Sequence, residues 1–186
     1  MRLHAIVEDL DAARAAVEGG ATVVQLRVKD ASTRELVELG RPLRELDAMF
    51  VVNDDVTAAI RLEADAVHLG REDEGADRAL AAGLRVGVSA WDVGEAIAAE
   101  RAGASYIGAG PIWKTPSKTD ADSPIGLDGL AGIVDAVEIP VVAIGGIDTT
   151  NAGACVAAGA AGVAVIRAAS DARALREAID EALAGR

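Results

Sequence analysis

The sequence predicts a single (β/α)8 barrel, and three observations carry that expectation. Eight short apolar runs alternate with longer, Ala-rich amphipathic stretches from one end of the chain to the other. Most of these runs are rich in Val or Ile, as expected of parallel strands buried on both faces. The phrases Glu18-Gly-Gly-Ala-Thr, Arg101-Ala-Gly-Ala-Ser and Ala158-Gly-Ala-Ala-Gly recur where a helix ends and a strand begins. Their glycines supply a left-handed helix stop and their small residues a tight entry into the sheet. Eight parallel strands with right-handed crossovers are the number that closes a barrel. The competing open, doubly wound sheet should carry a glycine-rich loop after its first strand, and Ile6-Val-Glu-Asp-Leu has none.

In chain order the expected strands are Leu3–Val7, Val23–Leu26, Phe50–Asn53, Ala66–Leu69, Arg85–Val88, Tyr106–Ala109, Val141–Ile144 and Gly162–Ile166. Helices are expected over Asp11–Glu18, Thr33–Leu46, Val93–Ala102, Thr150–Ala158 and Ala172–Leu183, the last repeating apolar residues at three- and four-residue spacing. No linker or low-complexity tract interrupts the pattern, so residues 1–186 read as one domain, a compact TIM barrel. Such barrels usually take about 250 residues, so the loops must be short.

The formal net charge of −12 disfavours nucleic acid and anionic membranes as partners. An anionic substrate would need a local positive pocket set against that background. The lone Cys155 excludes an internal disulfide framework and fits a reducing compartment. With no leader-like opening and no apolar run near the ~20 residues of a membrane span, the expected location is the cytoplasm.

Chemistry in a barrel gathers at the C-terminal ends of the strands, and the rare residue types collect there. Lys29, Lys114 and Lys118 all follow strands, and the only glutamine, Gln25, lies at a strand end. In Val23-Val-Gln-Leu-Arg-Val-Lys29 the alternation turns Gln25, Arg27 and Lys29 one way and Val24, Leu26 and Val28 the other. The apolar set suits the helix layer and the polar set the barrel mouth; an interior ion-pair network is the plainer alternative.

Asp54 closes the third strand and Asp73 follows the fourth, and neighbouring strands lie about 4.8 Å apart. The two carboxylates could therefore share a small cation such as Mg²⁺, which is held by one or two carboxylates together with substrate phosphates. Plainer roles are a helix N-cap for Asp54 and a loop charge for Asp73. Ser89 ends the fifth strand, where an N-cap is also an option. The turn-rich stretch from Gly108 to Pro124 carries Thr115, Ser117 and Lys118 and reads as a lid. Ile144-Gly-Gly-Ile147 and Val165-Ile-Arg167 occupy the loops that commonly cradle phosphate in barrels. His4 and His68 fall inside strands and read as packed rings rather than general bases.

The ordered set Gln25-Leu-Arg-Val-Lys, Val52-Asn-Asp, His68-Leu-Gly-Arg-Glu-Asp, Gly87-Val-Ser, Gly108-Ala-Gly-Pro-Ile and Ile144-Gly-Gly-Ile resembles the thiamine phosphate synthase family over nearly the whole chain. The resemblance implies a transferase of thiamine biosynthesis. It would couple 4-amino-5-hydroxymethyl-2-methylpyrimidine diphosphate with thiazole phosphate, giving thiamine phosphate and pyrophosphate by a dissociative substitution assisted by Mg²⁺. It further implies that Gln25, Leu26, Arg27, Val28, Lys29, Asn53, Ser89 and Lys118 hold the pyrimidine diphosphate. Arg27, Lys29, Ser89 and Lys118 would be the catalytic members. Thr115, Pro116, Ser117, Gly146, Ile166 and Arg167 would hold the thiazole phosphate, and Asp54 and Asp73 the metal. A homodimer fits the family, though no interface is legible. The chain departs from the family pattern at Arg71, where Gln is usual, and at Arg167, where Ser is usual. The alternatives are a thiazole tautomerase-like paralogue, although Trp91 stands in the stretch where that group has a catalytic His, and a non-catalytic barrel that binds a phosphorylated ligand.

Overall fold

The computed structural model describes residues 1–71, 73–115 and 123–185. Eight parallel strands close on themselves, with β1 (Leu3–Val7) paired to both β2 (Val23–Leu26) and β8 (Gly162–Val165). Between them run β3 (Met49–Asn53), β4 (Ala66–Leu69), β5 (Arg85–Ala90), β6 (Tyr106–Ala109) and β7 (Val141–Ile144). The expected strands all form, with ends displaced by two residues at most.

Each crossover carries a helix: α1 (Leu10–Glu18), α2 (Thr33–Gly40), α3 (Val56–Arg61), α4 (Ala76–Ala81), α5 (Val93–Arg101), α6 (Gly126–Ala136), α7 (Ala152–Ala157) and α8 (Ala172–Ala184). The expected helix Thr33–Leu46 is interrupted. It stops at Gly40 and tightens into a 3₁₀ segment, Arg41–Glu45, that begins around Pro42. Pro42 has no N–H to continue an α-helical ladder, and Gly40 costs helix stability, so a tighter turn wins. The start of α7 is also later than expected, because Asp148 and Asn151 close a polar turn through Asp148 N–H to Asn151 Oδ1 at 2.9 Å.

Gly20, Gly103 and Gly159, one from each recurring phrase, take positive φ where helix gives way to strand. The main core lies between barrel and helices and includes Leu3, Leu26, Phe50, Leu130 and Leu175, all at most 1 % exposed. Two small clusters are separate from it. Val23, Val51 and Ala66 form one; Ile6, Tyr106, Val142 and Ala164 form the other. By strand alternation these fill the barrel interior. They leave the C-terminal mouth open.

Candidate active site

A cavity of about 660 Å³ opens at that mouth. Its wall draws on every strand end, including Gln25 and Arg27 from β2, Asn53 and Asp54 from β3, Ser89 from β5 and Arg167 after β8.

Two local capping choices release the polar residues that line it. The N-cap of α3 is Asp55, which accepts from Ala58 N–H at 2.8 Å. Asp54 is thereby spared that role and is held instead at φ 61°, a left-handed conformation that is uncommon outside glycine and recurs at functional sites. Likewise the N-cap of α5 is Asp92, which accepts from Glu95 N–H at 2.8 Å, so Ser89 is not consumed as a cap. The capping alternatives for Asp54 and Ser89 are both removed.

Asp54 and Asp73 meet side chain to side chain. Withdrawal from bulk water, then the hydrogen-bonded carboxyl of Asp73 and its like charge, push the Asp54 carboxyl up to about 6. Arg27 and Asn53 pull it the other way. Asp73 is held in place by Gly70 N–H, which donates to its Oδ2 at 2.6 Å. A cation between the two carboxylates would relieve their repulsion, so the donor set fits a small divalent ion that takes the rest of its oxygens from water and phosphate. Among the described residues no group of three or more His, Cys, Asp or Glu side chains forms a fuller metal cage.

Gly145 and Gly146 cross the opposite side of the mouth at φ 99° and 69°. A Cβ on Gly145 would stand 2.6 Å from Pro111 Cβ, and one on Gly146 would stand 2.8 Å from Trp113 Cβ. Both glycines are thus demanded by the packing of the loop after β6, which hydrogen-bonds to this turn through Ile112 N–H to Ile144 O and Trp113 N–H to Gly145 O, at 2.9 and 3.0 Å. Ile166 and the exposed Arg167 border the same side.

The remaining expected residues fall as follows. Gln25 is 3 % exposed and lines the cavity. Leu26 and Val28 pack into the helix-side core, so only their main chain could meet a ligand. Lys29 is exposed and does not line the cavity: β2 ends at Leu26, and the alternation still followed by Arg27 and Val28 lapses at Lys29. Thr115 lines the cavity, whereas Pro116, Ser117 and Lys118, with the lid reading that depends on them, lie outside the described residues.

Several lining residues escaped sequence reasoning: Tyr106, Asp148 and Asp171, together with His4 and His68, which read as packed rings; Lys114, one of the three lysines that follow strands, also lines the cavity. The signal for Tyr106 was available, since it and Gly108 share the inward phase of β6. His68 does pack and hydrogen-bond as expected, to Tyr106 Oη at 3.0 Å and Ser89 Oγ at 3.1 Å. His4 is 1 % exposed, and among the described residues its Nε2 finds no partner.

Residues 4–169 match the family model described as thiamine monophosphate synthase. The chain belongs to the thiamine monophosphate synthase family. Among similar relatives, the thiamine-phosphate synthase of Moorella thermoacetica is 49 % identical over 93 % of this chain and 89 % of its own. That of Pyrococcus furiosus is 45 % identical, over 93 % and 86 %. The solved thiamine phosphate pyrophosphorylase from Pyrococcus furiosus superposes with a TM-score of 0.89 at 41 % identity, covering 98 % of this chain and 96 % of its own. A 3-hexulose-6-phosphate synthase, at 20 % identity and a TM-score of 0.70, shares the barrel alone. Family membership and the closed barrel agree with what the motif order implied. Among the described residues, no helix is long and apolar enough to cross a membrane.

Proposed function

We propose that this chain is a thiamine phosphate synthase. It joins the pyrimidine diphosphate to thiazole phosphate and releases pyrophosphate. The observation that carries the reading is the meeting of Arg27 with the Asp54–Asp73 pair on one side of a mouth whose other side holds Gly146 and Arg167. One side suits a diphosphate and its metal, the other a single phosphate.

In the reaction the bond from the pyrimidine methylene to the diphosphate oxygen breaks, and its electron pair leaves with pyrophosphate. The thiazole nitrogen then gives its lone pair to the methylene carbon. No proton need be abstracted for either event, which agrees with a wall that offers cations and carboxylates. Arg27 neutralises charge growing on the leaving group, and Lys29 and Lys118 are assigned to the same task by the motif match. Gln25, Asn53 and Ser89 orient the pyrimidine. Thr115, Ser117, Gly146, Ile166 and Arg167 receive the thiazole phosphate. Asp54 and Asp73 would hold Mg²⁺, which when bound would supply Lewis-acid stabilisation to a diphosphate. The substrates are small phosphorylated molecules, and the expected setting is the cytoplasm.

The test is pyrophosphate release from the two purified substrates, with and without Mg²⁺. Stoichiometric thiamine phosphate and pyrophosphate, dependent on both substrates, is the expected result. Binding of either substrate with no product under any metal condition would establish a non-catalytic barrel instead.

A further inference from the structure

Inside the mouth, three side chains on adjacent strands form a hydrogen-bonded series that charge neutralisation does not explain. Tyr106 on β6 meets His68 Nδ1 on β4 at 3.0 Å, and His68 Nε2 meets Ser89 Oγ on β5 at 3.1 Å. The rings of Tyr106 and His68 stack with centroids 5.5 Å apart. Two interior glycines make the room. A Cβ at Gly87 would stand 2.0 Å from Tyr106 Cζ, and one at Gly108 would stand 3.0 Å from His68 Cε1. The backbone of β5 and β6 is bare of side chains where these two rings lie.

The direction of the hydrogen bonds follows from counting protons. Tyr106 is 1 % exposed, and burial pushes its pKa up, so the phenol keeps its hydrogen. The bond to His68 is the one its hydroxyl makes among the described residues, so that hydrogen goes to Nδ1. A ring carrying hydrogen on Nδ1, alone or with Nε2, would leave the buried phenol hydrogen with no acceptor, a costly arrangement. Nε2 therefore carries the ring hydrogen and donates it to Ser89 Oγ. The hydrogen of Ser89 is left to point into the cavity.

We propose that Tyr106 and His68 are positioning residues that fix Ser89 as a hydrogen-bond donor toward the substrate. The wall then selects a ligand that presents a lone pair at that point. This rests on Ser89 meeting substrate, as in the proposed reaction.

The chain contains two histidines, which makes ¹⁵N NMR of histidine-labelled protein direct to assign, His4→Phe identifying the second ring. The expected result for His68 is a neutral ring with hydrogen on Nε2. A ring protonated on Nδ1, or on both nitrogens, overturns the proposal, and this readout needs no turnover. Tyr106→Phe should lose the single tautomer and lower kcat about tenfold, the worth of one oriented hydrogen bond. Ser89→Ala should lower it at least as much, and the double variant no further than Ser89→Ala alone. His68→Gln, which restores a donor to Ser89, should recover most of what His68→Ala loses. Additive losses in the Tyr106/Ser89 pair would mean that Tyr106 acts through packing, and would overturn the proposal. Calorimetry with the pyrimidine alcohol and, separately, with pyrophosphate locates the lone pair, since Ser89→Ala should weaken one of them about tenfold. If neither is weakened, Ser89 does not face the ligand. That outcome removes its donor role while leaving the tautomer and the coupling reaction as separate results.

Discussion

The two ends of this barrel carry acids in opposite circumstances. At the N-terminal face Asp180 and Asp65 each sit beside a guanidinium. Asp180 pairs with Arg2 at 2.6 Å and with Arg176 at 2.8 Å, and Asp65 with Arg85 at 3.6 Å. At the C-terminal mouth, Asp54 faces another acid, Asp73. The pKa values move accordingly. Asp180 is lowered although desolvation opposes it, because Arg2 and Arg176 outweigh that cost; Asp54 is raised to about 6. The lower face spends its charges on one another. The upper face keeps an unresolved repulsion, and unresolved electrostatics in a cleft is the expected trace of a site built for something absent from the free protein.

The sharpest way to break this contrast is Asp54→Asn. Asn tolerates the left-handed backbone at this position, so the fold should survive, and removing a like charge should leave thermal stability unchanged or slightly higher. Coupling activity should nevertheless fall by at least about a hundredfold, as for loss of a group that stabilises charge in the transition state. Pyrophosphate release at saturating Mg²⁺ measures it. Unaltered turnover would place Asp54 among the ordinary loop charges.

The barrel was legible because its signals are local and repeated: Val- and Ile-rich runs, and glycine stops at fixed phase. The site was legible in part. Gln25 and Arg27 follow from alternation along β2, and the same rule carried one step too far gave Lys29 a place in the cavity lining that it does not hold. The Asp54–Asp73 pairing was suggested by strand adjacency. Its decisive support, Asp55 taking the cap, depends on which of two consecutive aspartates turns inward, and composition cannot tell them apart. Tyr106 and His68 were undervalued because their partners lie 38 and 21 residues apart in sequence, and only the pairing of β4, β5 and β6 brings them together.

Between the two faces lies the packed interior, where effects should be intermediate. Gly87→Ala would drive a methyl group into the ring of Tyr106, whose flanks are already filled, and should cost about 1–3 kcal/mol in denaturant unfolding. A variant of full stability would show that the ring has room to move. His4, at 1 % exposure, gives a pH signature as well. Burial, then His68 and the N-terminal amine, push its pKa down to about 3 from an ordinary 6.5. In that window the unfolded chain binds the extra proton. The neutral ring's contribution is therefore intact above pH 6.5 and is lost progressively as pH falls toward 3. The expected slope is about 1.4 kcal/mol per pH unit just below 6. The comparison with His4→Phe isolates it from the carboxylates, and a wild-type slope no steeper than the variant's would mean that His4 protonates in place.

The smallest effect belongs to the lower face. Asp180→Ala removes the acid that two arginines share, yet all three side chains are at least a quarter exposed, at 48 %, 40 % and 28 % for Arg2, Asp180 and Arg176. Exposed pairs are screened by solvent and offset by the entropy of ordering long side chains, so the expected loss is about 0.5 kcal/mol, fading at high salt. Because Asp180 is lowered, its contribution is present above its ordinary 3.8 and lost as pH falls below it, opposite in sign to the raised Asp54. Arg176 keeps a second anchor, its Nη1 donating to Gly20 O at 3.0 Å, which limits any rearrangement of α8. Turnover should not change, since the pair lies at the far end of the barrel from the cavity. A measurable drop in kcat for Asp180→Ala, with stability intact, would show that the two faces are coupled and that their division of labour is incomplete.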